Sequence, residues 1–209
     1  MRVNEQGRSM IEMLGVLAIV GVLSVGGIAG YSKAMNKFKT NKVIDQINMI
    51  STNVRTLYSS QRTYKGLNNA LAVKTGVVPA EMYEANGSTD VSVITNAFGG
   101  EVVIESAAHN GQDNIAYVIG FNGLPKASCV TAATTDWGGD VGSGFAAMYV
   151  AGDTEVEDAI DAITGSGALT ASENLAIPGD KSYGTPISVI NAQAACSSNA
   201  DNAFALKYI

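Results

Sequence analysis

The carboxylate of Glu12 stands at the edge of a long apolar segment. From Met13 to Ser32 the chain contains no charged residue, which is a stretch of membrane-spanning length. An unpaired carboxylate in a medium of low dielectric constant is costly, so an acid in this position is expected to have a specific counter-charge. The chemistry predicted here is ion pairing, and we expect the partner to be the N-terminus of another copy of the chain. Arg8, at the i, i+4 spacing from Glu12, is an alternative partner within one chain.

Cys129 and Cys196 are the only cysteines in the sequence. They are too far apart for a CxxC redox motif and too few for a zinc site. In an exported protein the favoured interpretation is a structural disulfide, and two buried free thiols are the alternative. We expect the bridge to pin the final strand to the helix that follows Pro125.

The remaining reactive side chains form no recognisable catalytic or metal-binding pattern. His109 is the only histidine and is expected to be a solvated turn residue; without a histidine, cysteine or serine-elbow partner it makes neither a triad nor a transition-metal site. An acidic run lacks the glycine and the spaced terminal Glu of an EF-hand loop; it consists of Asp153, Glu155, Glu157, Asp158 and Asp161. We therefore expect no enzyme activity, no cofactor and no metal, and interpret the acids as a solvated helix face.

Charge is divided unevenly along the chain. Residues 1–62 have a net charge of +5 and the remainder a net charge of −11. Phosphate binding needs a clustered basic face, so the acidic body argues against nucleic acid as a general partner.

The apolar segment continues into a pattern that predicts one long helix. Apolar residues recur at steps of four and three at Val43, Ile47, Ile50, Val54 and Leu57. No proline precedes Pro79, so a helix from about Arg8 to Arg62 is allowed. Gly26, Gly27 and Gly30 weaken it or permit close packing, because glycine costs about 1 kcal/mol relative to Ala and a GxxxG pair lets helices approach closely.

The rest of the chain predicts a mixed α and β head. β-branched and aromatic runs bounded by turn residues indicate strands at 102–105, 115–121, 145–150 and 203–208. Short helices are expected at 67–73 and after Pro125. A further helix is expected to start at Thr154, with Glu157 completing a capping box, and to stop at Gly165. The fold class is therefore α+β, with a long N-terminal helix packed on an antiparallel sheet.

The N-terminal residues Gln6-Gly7-Arg8-Ser9-Met10-Ile11-Glu12 resemble the class III signal of type IV prepilins. In that family a short charged leader ends in Gly, and an acid is the fifth residue of the mature chain before the apolar segment. The resemblance implies cleavage between Gly7 and Arg8, N-methylation of the freed amine, and assembly guided by Glu12. Most members begin the mature chain with an apolar residue, whereas this one would begin with Arg8.

A second resemblance covers the head. It rests on residues 76–82 (GVVPAEM), 95–100 (TNAFGG) and 117–125 (YVIGFNGLP), the last of which leads to Cys129. They resemble type IVb major pilins, the group that contains the toxin-coregulated pilin and conjugative thin-pilus pilins. The resemblance implies the pilin α/β roll, with a leader at 1–7, a pilin helix at 8–62 whose transmembrane segment is about 13–32, and a head at 63–209.

The function implied is that of a major pilin, a structural subunit that polymerises with itself. The family implies a prepilin peptidase, an assembly ATPase with its platform protein, and a secretin as partners. It also implies residence in the inner membrane before export into an extracellular filament for a role such as adhesion or conjugation. Four lysines are expected to lie against head carboxylates of neighbouring copies; they are Lys33, Lys37, Lys39 and Lys42.

Three other interpretations remain. A type II secretion pseudopilin or a minor pilin shares the leader and the helix. A signal-anchored or secreted periplasmic binding protein would use the apolar segment only for export. In that case Glu12 belongs to an ordinary signal peptide, and a conventional signal peptidase could cut after Ala29.

Overall fold

The computed structural model describes residues 10–84, 93–138, 143–165, 168–172, 174–178, 184–198 and 201–209. The chain divides into two compact units, Met1–Phe38 and Lys39–Ile209. The expected cleavage point at Gly7 and Arg8 and the expected turn at 86–88 lie outside the described residues.

Helix α1 spans Met10–Leu57. Within the second unit it buries Val43, Ile47, Ile50 and Val54, the stripe predicted from the spacing of apolar residues. The helix ends at Leu57, before the expected end at Arg62. The chain then turns, with the backbone N–H of Tyr58 still donating to the carbonyl of Val54 at 3.0 Å.

In the described part of the second unit, six strands form one antiparallel sheet at its centre. The strands are β1 (Ile94–Thr95), β2 (Glu101–His109), β3 (Gln112–Leu124), β4 (Phe145–Ala151), β5 (Leu175–Ala176) and β6 (Asn202–Tyr208). Their order is β1-β2-β3-β6-β4-β5, so the last strand lies between β3 and β4. The four predicted strands are confirmed, and the two-residue strands β1 and β5 were not predicted.

The two faces of the sheet carry separate apolar cores. One face packs against the buried stripe of α1 and includes Ile104, Phe121 and Phe204. The other face carries mostly small residues, such as Ala116 and Ala205, and is covered by α4. Two helical layers around an antiparallel sheet confirm the α+β class.

Short helices complete the second unit: α2 (Asn69–Lys74), a 3₁₀ turn (Ala80–Met82), α3 (Lys126–Ala133), α4 (Val156–Thr164) and α5 (Val189–Ala195). The helices after residue 67 and after Pro125 were predicted, whereas α5 was not. The capping box expected at Thr154 is wrong. Helix α4 begins at Val156 without a side-chain cap, because the hydroxyl of Thr154 donates to the Gly152 carbonyl at 3.1 Å instead.

Candidate functional site

Between Met13 and Ser32 the first unit presents an apolar surface without a charged residue. An 18-residue window of α1 has a mean hydropathy of 2.2 and none of it is buried. The exposed side chains include Ile11, Leu14, Leu17, Ile19, Val22, Leu23, Val25 and Ile28. By length and composition this part of α1 can cross a membrane. Keeping so much apolar surface out of water requires lipid or other protein chains around it.

Glu12 lies in the first turn of α1 and is exposed. Among the described residues, no basic side chain forms an ion pair with it. A carboxylate near a helix N-terminus is favoured by the helix dipole, but this does not replace a counter-charge in an apolar medium. Arg8, the alternative intrachain partner, lies outside the described residues.

Gly26, Gly27 and Gly30 lie inside α1, which is helical through all three. A Cβ atom built at any of these positions would meet no neighbouring atom within 4 Å. Contacts made by this copy of the chain therefore do not require glycine there. The lack of side chains leaves a smooth strip where another helix could approach closely.

The lysines expected to face neighbouring copies divide into two pairs. Lys42 Nζ lies 3.1 Å from Glu81 Oε2 in the same chain, and Lys39 Nζ lies 5.5 Å from the centre of the Phe98 ring. Both contacts attach α1 to the segment that precedes β2. Lys39 and Lys42 thus have partners within their own chain, and their expected contact with head carboxylates of neighbouring copies stays a prediction. Lys33 and Lys37 are exposed on the first unit.

A buried polar cluster joins α1 to the sheet, and it was not predicted from the sequence. The hydroxyl groups of Ser51 and Tyr117 are 2.9 Å apart, and Arg55 Nε donates to the same Tyr117 oxygen at 3.2 Å. The Arg55 guanidinium also lies 4.9 Å from the centre of the Tyr208 ring. Burial raises the pKa of both Tyr117 and Tyr208, so the phenols stay neutral hydrogen-bonding groups. The one sequence feature that pointed to this cluster was Arg55, a charged residue directly beside Val54 of the apolar stripe.

Cys129 of α3 and Cys196, directly after α5, form a disulfide with an S–S distance of 2.01 Å. The prediction of a bridge is confirmed. The prediction that it pins the final strand is wrong, because the bridge joins two helices. Strand β6 is instead held at its start by Asn202, whose amide donates to the Leu124 carbonyl at 2.7 Å.

Acidic side chains gather at one end of the sheet. Glu101, Asp153, Glu155 and Asp201 line a cleft of about 560 Å³ together with Phe98. The pKa of Glu101 is raised, first by burial and then by the carboxylates of Glu157 and Glu155. Within the described part of the chain, no group of acidic, histidine or cysteine side chains has the geometry to hold a metal ion.

His109 is the last residue of β2 and is half-buried, not a solvated turn residue as expected. Its pKa is lowered by burial and by the positive charge of Lys207. Lys207 is itself fully buried, and its ammonium donates to the Ile163 carbonyl at the end of α4.

Comparison with known proteins identifies relatives of this chain. A family model described as Bundlin matches residues 32–182. The major structural subunit of bundle-forming pilus from Escherichia coli O127:H6 is 29% identical over 134 residues, and the chain spans 66% of the length of that relative. The match covers 64% of this chain. The toxin coregulated pilin of Vibrio cholerae serotype O1 is 28% identical over 179 residues, covering 80% of this chain and 76% of that protein.

Solved structures show the same fold. The crystal structure of TcpA, a type IV pilin from Vibrio cholerae El Tor biotype, covers 82% of this chain and 99% of its own, with a TM-score of 0.56 and 20% identity. The type IV b pilin from Salmonella typhi covers 80% of this chain and 98% of its own, with a TM-score of 0.51 and 16% identity.

Proposed function

The chain belongs to the Bundlin family of type IV pilins, and from that premise we propose that it is the major structural subunit of a type IVb-like pilus. The observation that carries the proposal is the exposed apolar part of α1 with Glu12 at its edge. A surface of this kind is unstable in water. Polymerisation transfers it from lipid to a bundle of identical helices, where it stays dry.

The proposed assembly step is electrostatic. Cleavage between Gly7 and Arg8 frees an amine on Arg8, which is the candidate for N-methylation. Glu12 of an entering subunit then pairs with the amine of Arg8 on its neighbour, because a buried carboxylate needs a counter-charge. Gly26, Gly27 and Gly30 allow the apolar helices to approach closely.

The partners follow from this life cycle. Before assembly the subunit resides in the inner membrane, where a prepilin peptidase removes residues 1–7. An assembly ATPase with its platform protein then drives polymerisation, and a secretin passes the extracellular filament. We propose that the subunit itself has no catalytic role.

The experiment compares Glu12→Gln with a matched control, Glu81→Gln, in cells that make the filament. Glu12→Gln keeps the size of the side chain but removes the charge, so the subunit should insert and be cleaved while filament yield falls sharply. Glu81→Gln removes a carboxylate whose partner, Lys42, is in the same chain, so yield should stay near that of the parent. Filaments are sheared and weighed, and intact mass locates the N-terminus.

Normal filament yield from Glu12→Gln would contradict the role of the charge. A mature N-terminus at Gly30 would contradict the pilin function itself, since it would mean that the apolar segment is an export signal.

A further inference from the structure

Asn110 and Gly111 form the tip of the hairpin between β2 and β3. Their φ angles are 48° and 77°, as in the two-residue type I′ turns that favour Asn-Gly. His109 and Gln112 are paired directly across the turn. Both tip residues are exposed to water.

Asn122 and Gly123 form a second Asn-Gly pair in a different environment. The Asn122 Oδ1 atom accepts a hydrogen bond from the Glu101 backbone at 2.6 Å, and its carbonyl accepts one from the Asn96 amide at 2.8 Å. The pair lies inside β3 and is partly buried. By contrast, the Asn110 carboxamide makes no hydrogen bond to any described residue, so it can rotate towards its own backbone.

We propose that Asn110 is a site of spontaneous deamidation. The backbone nitrogen of Gly111 attacks Cγ of Asn110, which glycine permits because it has no side chain to obstruct the approach. A bond forms between that nitrogen and Cγ, the bond from Cγ to Nδ2 breaks, and ammonia leaves with the proton lost by Gly111. Water then opens the five-membered imide at either carbonyl, giving aspartate or isoaspartate at position 110.

The difference between the two pairs follows from local opening. A hairpin tip opens at little free-energy cost, whereas Asn122 reacts only when β3 separates from its neighbours and the bond from Glu101 breaks. Attack on Cγ requires the backbone dihedral angles of Asn110 to change from those of the native turn. Opening of the tip therefore controls the rate at Asn110.

The products change the hairpin in two ways. Both add a carboxylate to a region, residues 63–209, that already has a net charge of −11. Isoaspartate also passes the main chain through the side-chain carbon, which lengthens the turn that pairs His109 with Gln112. In a subunit that persists outside the cell, the fraction of Asn110 converted to aspartate or isoaspartate would therefore rise with time.

The test uses full-length folded protein in detergent at mildly alkaline pH, sampled over time. Residues 75–126 form one tryptic peptide that contains all three Asn-Gly pairs, including Asn86-Gly87. Digestion before incubation provides an unfolded reference in which the three pairs should react at similar rates. In the folded protein we expect Asn110 to convert at least about tenfold faster than Asn122, a ratio equivalent to ~1.4 kcal/mol. Incubation in ¹⁸O-labelled water marks each event.

The control variant is Asn110→Asp, because Asp tolerates the same positive φ angle. It should release no ammonia from position 110 while Asn122 behaves as in the parent. Equal rates at Asn110 and Asn122 in the folded protein would overturn the proposal. So would an intact Asn110 at a time when the same residue in the reference peptide has fully converted.

Discussion

Arg55 illustrates a single charged residue with a structural role inside an apolar stripe. Its guanidinium lies against the Tyr208 ring, and its Nε shares the hydroxyl oxygen of Tyr117 with Ser51. The pattern of apolar residues predicted the buried face of α1 but not this cluster, because the partners come from strands distant in sequence. Glu12, in contrast, could be singled out from the sequence, since an acid beside an apolar segment of membrane-spanning length needs an explanation by itself.

Removing the Tyr117 hydroxyl tests the buried cluster. Tyr117→Phe leaves the Ser51 hydroxyl and Arg55 Nε without this shared partner, so the free energy of unfolding should fall by about 1–3 kcal/mol. Tyr149→Phe is the matched control, because no hydrogen bond of the Tyr149 hydroxyl is present among the described residues, and it should change stability little. Denaturant unfolding of both variants gives the comparison. A Tyr117→Phe protein as stable as Tyr149→Phe would mean that the cluster does not stabilise the head.

Glu105 supplies a prediction about pH. Its pKa is raised, first by burial and then by the carboxylate of Asp161. A carboxyl whose pKa is higher in the folded than in the unfolded state favours folding at low pH, and this contribution is lost as pH rises through the folded pKa. Glu105→Gln should therefore stabilise the protein near neutral pH by up to about 1 kcal/mol, given that the side chain is partly solvated.

The gain from Glu105→Gln should disappear below about pH 4, where the parent carboxyl is also neutral. Exposed Glu84→Gln serves as the control and should leave the stability profile near that of the parent. Thermal unfolding at a series of pH values measures both. A gain that is the same at acidic and neutral pH would show that the charge of Glu105 is not its cause.

Among the elements, those with regular patterns were predicted and those set by single contacts were not. Strands β2, β3, β4 and β6 were indicated by runs of β-branched and aromatic residues bounded by turn residues, and α1 by its apolar stripe. Helix α5 has only 7 residues, many of them small, so it shows no such pattern. The start of α4 was misplaced because Thr154 bonds to the turn before it instead of to the helix. Because α5 was not predicted, Cys196 was assigned to the final strand and not to the end of this helix.

The packing of α4 on the sheet depends on Gly120 in β3. A Cβ atom there would lie 2.7 Å from Ile160 Cδ1 and 2.8 Å from Val156 Cγ2. Both side chains are branched and buried, so they have little room to move. Gly120→Ala should lower the free energy of unfolding by about 1–3 kcal/mol through overpacking.

Gly165→Ala is the matched control for Gly120→Ala, because a Cβ atom at Gly165 meets nothing within 4 Å. The φ angle of −54° there suits any residue. This variant should be as stable as the parent or slightly more stable. If Gly120→Ala unfolds at the same denaturant concentration as Gly165→Ala, then α4 adjusts freely and the close approach is not required.

At the scale of the whole molecule, the sequence predicted best those functional features that depend on amino-acid composition. The apolar segment, its bordering acid and the contrast between a net charge of +5 in residues 1–62 and −11 in the rest are properties of the chain itself. The intrachain contacts of Lys42 and Lys39 could not be predicted from the sequence, because folding alone brings Glu81 and Phe98 close to them. Of the four lysines, Lys33 and Lys37 are the two for which the described residues offer no side-chain partner, so they are the first to test for contacts between copies.

The final prediction concerns these two lysines in the filament. If they lie against head carboxylates of neighbouring subunits, reversing both with Lys33→Glu and Lys37→Glu replaces attraction by repulsion. Each exposed pair is worth less than about 1 kcal/mol and is screened over roughly 8 Å at physiological salt, so the effect should be cumulative and salt-dependent. Filaments of the double variant should dissociate more readily at low salt and recover as ionic strength rises. The matched control exchanges Lys42 and Glu81, which preserves the pair within one chain and should leave filament stability unchanged. If filaments of the double variant respond to salt like those of the parent, the prediction is wrong. The remaining role for Lys33 and Lys37 would be contact with lipid headgroups before assembly.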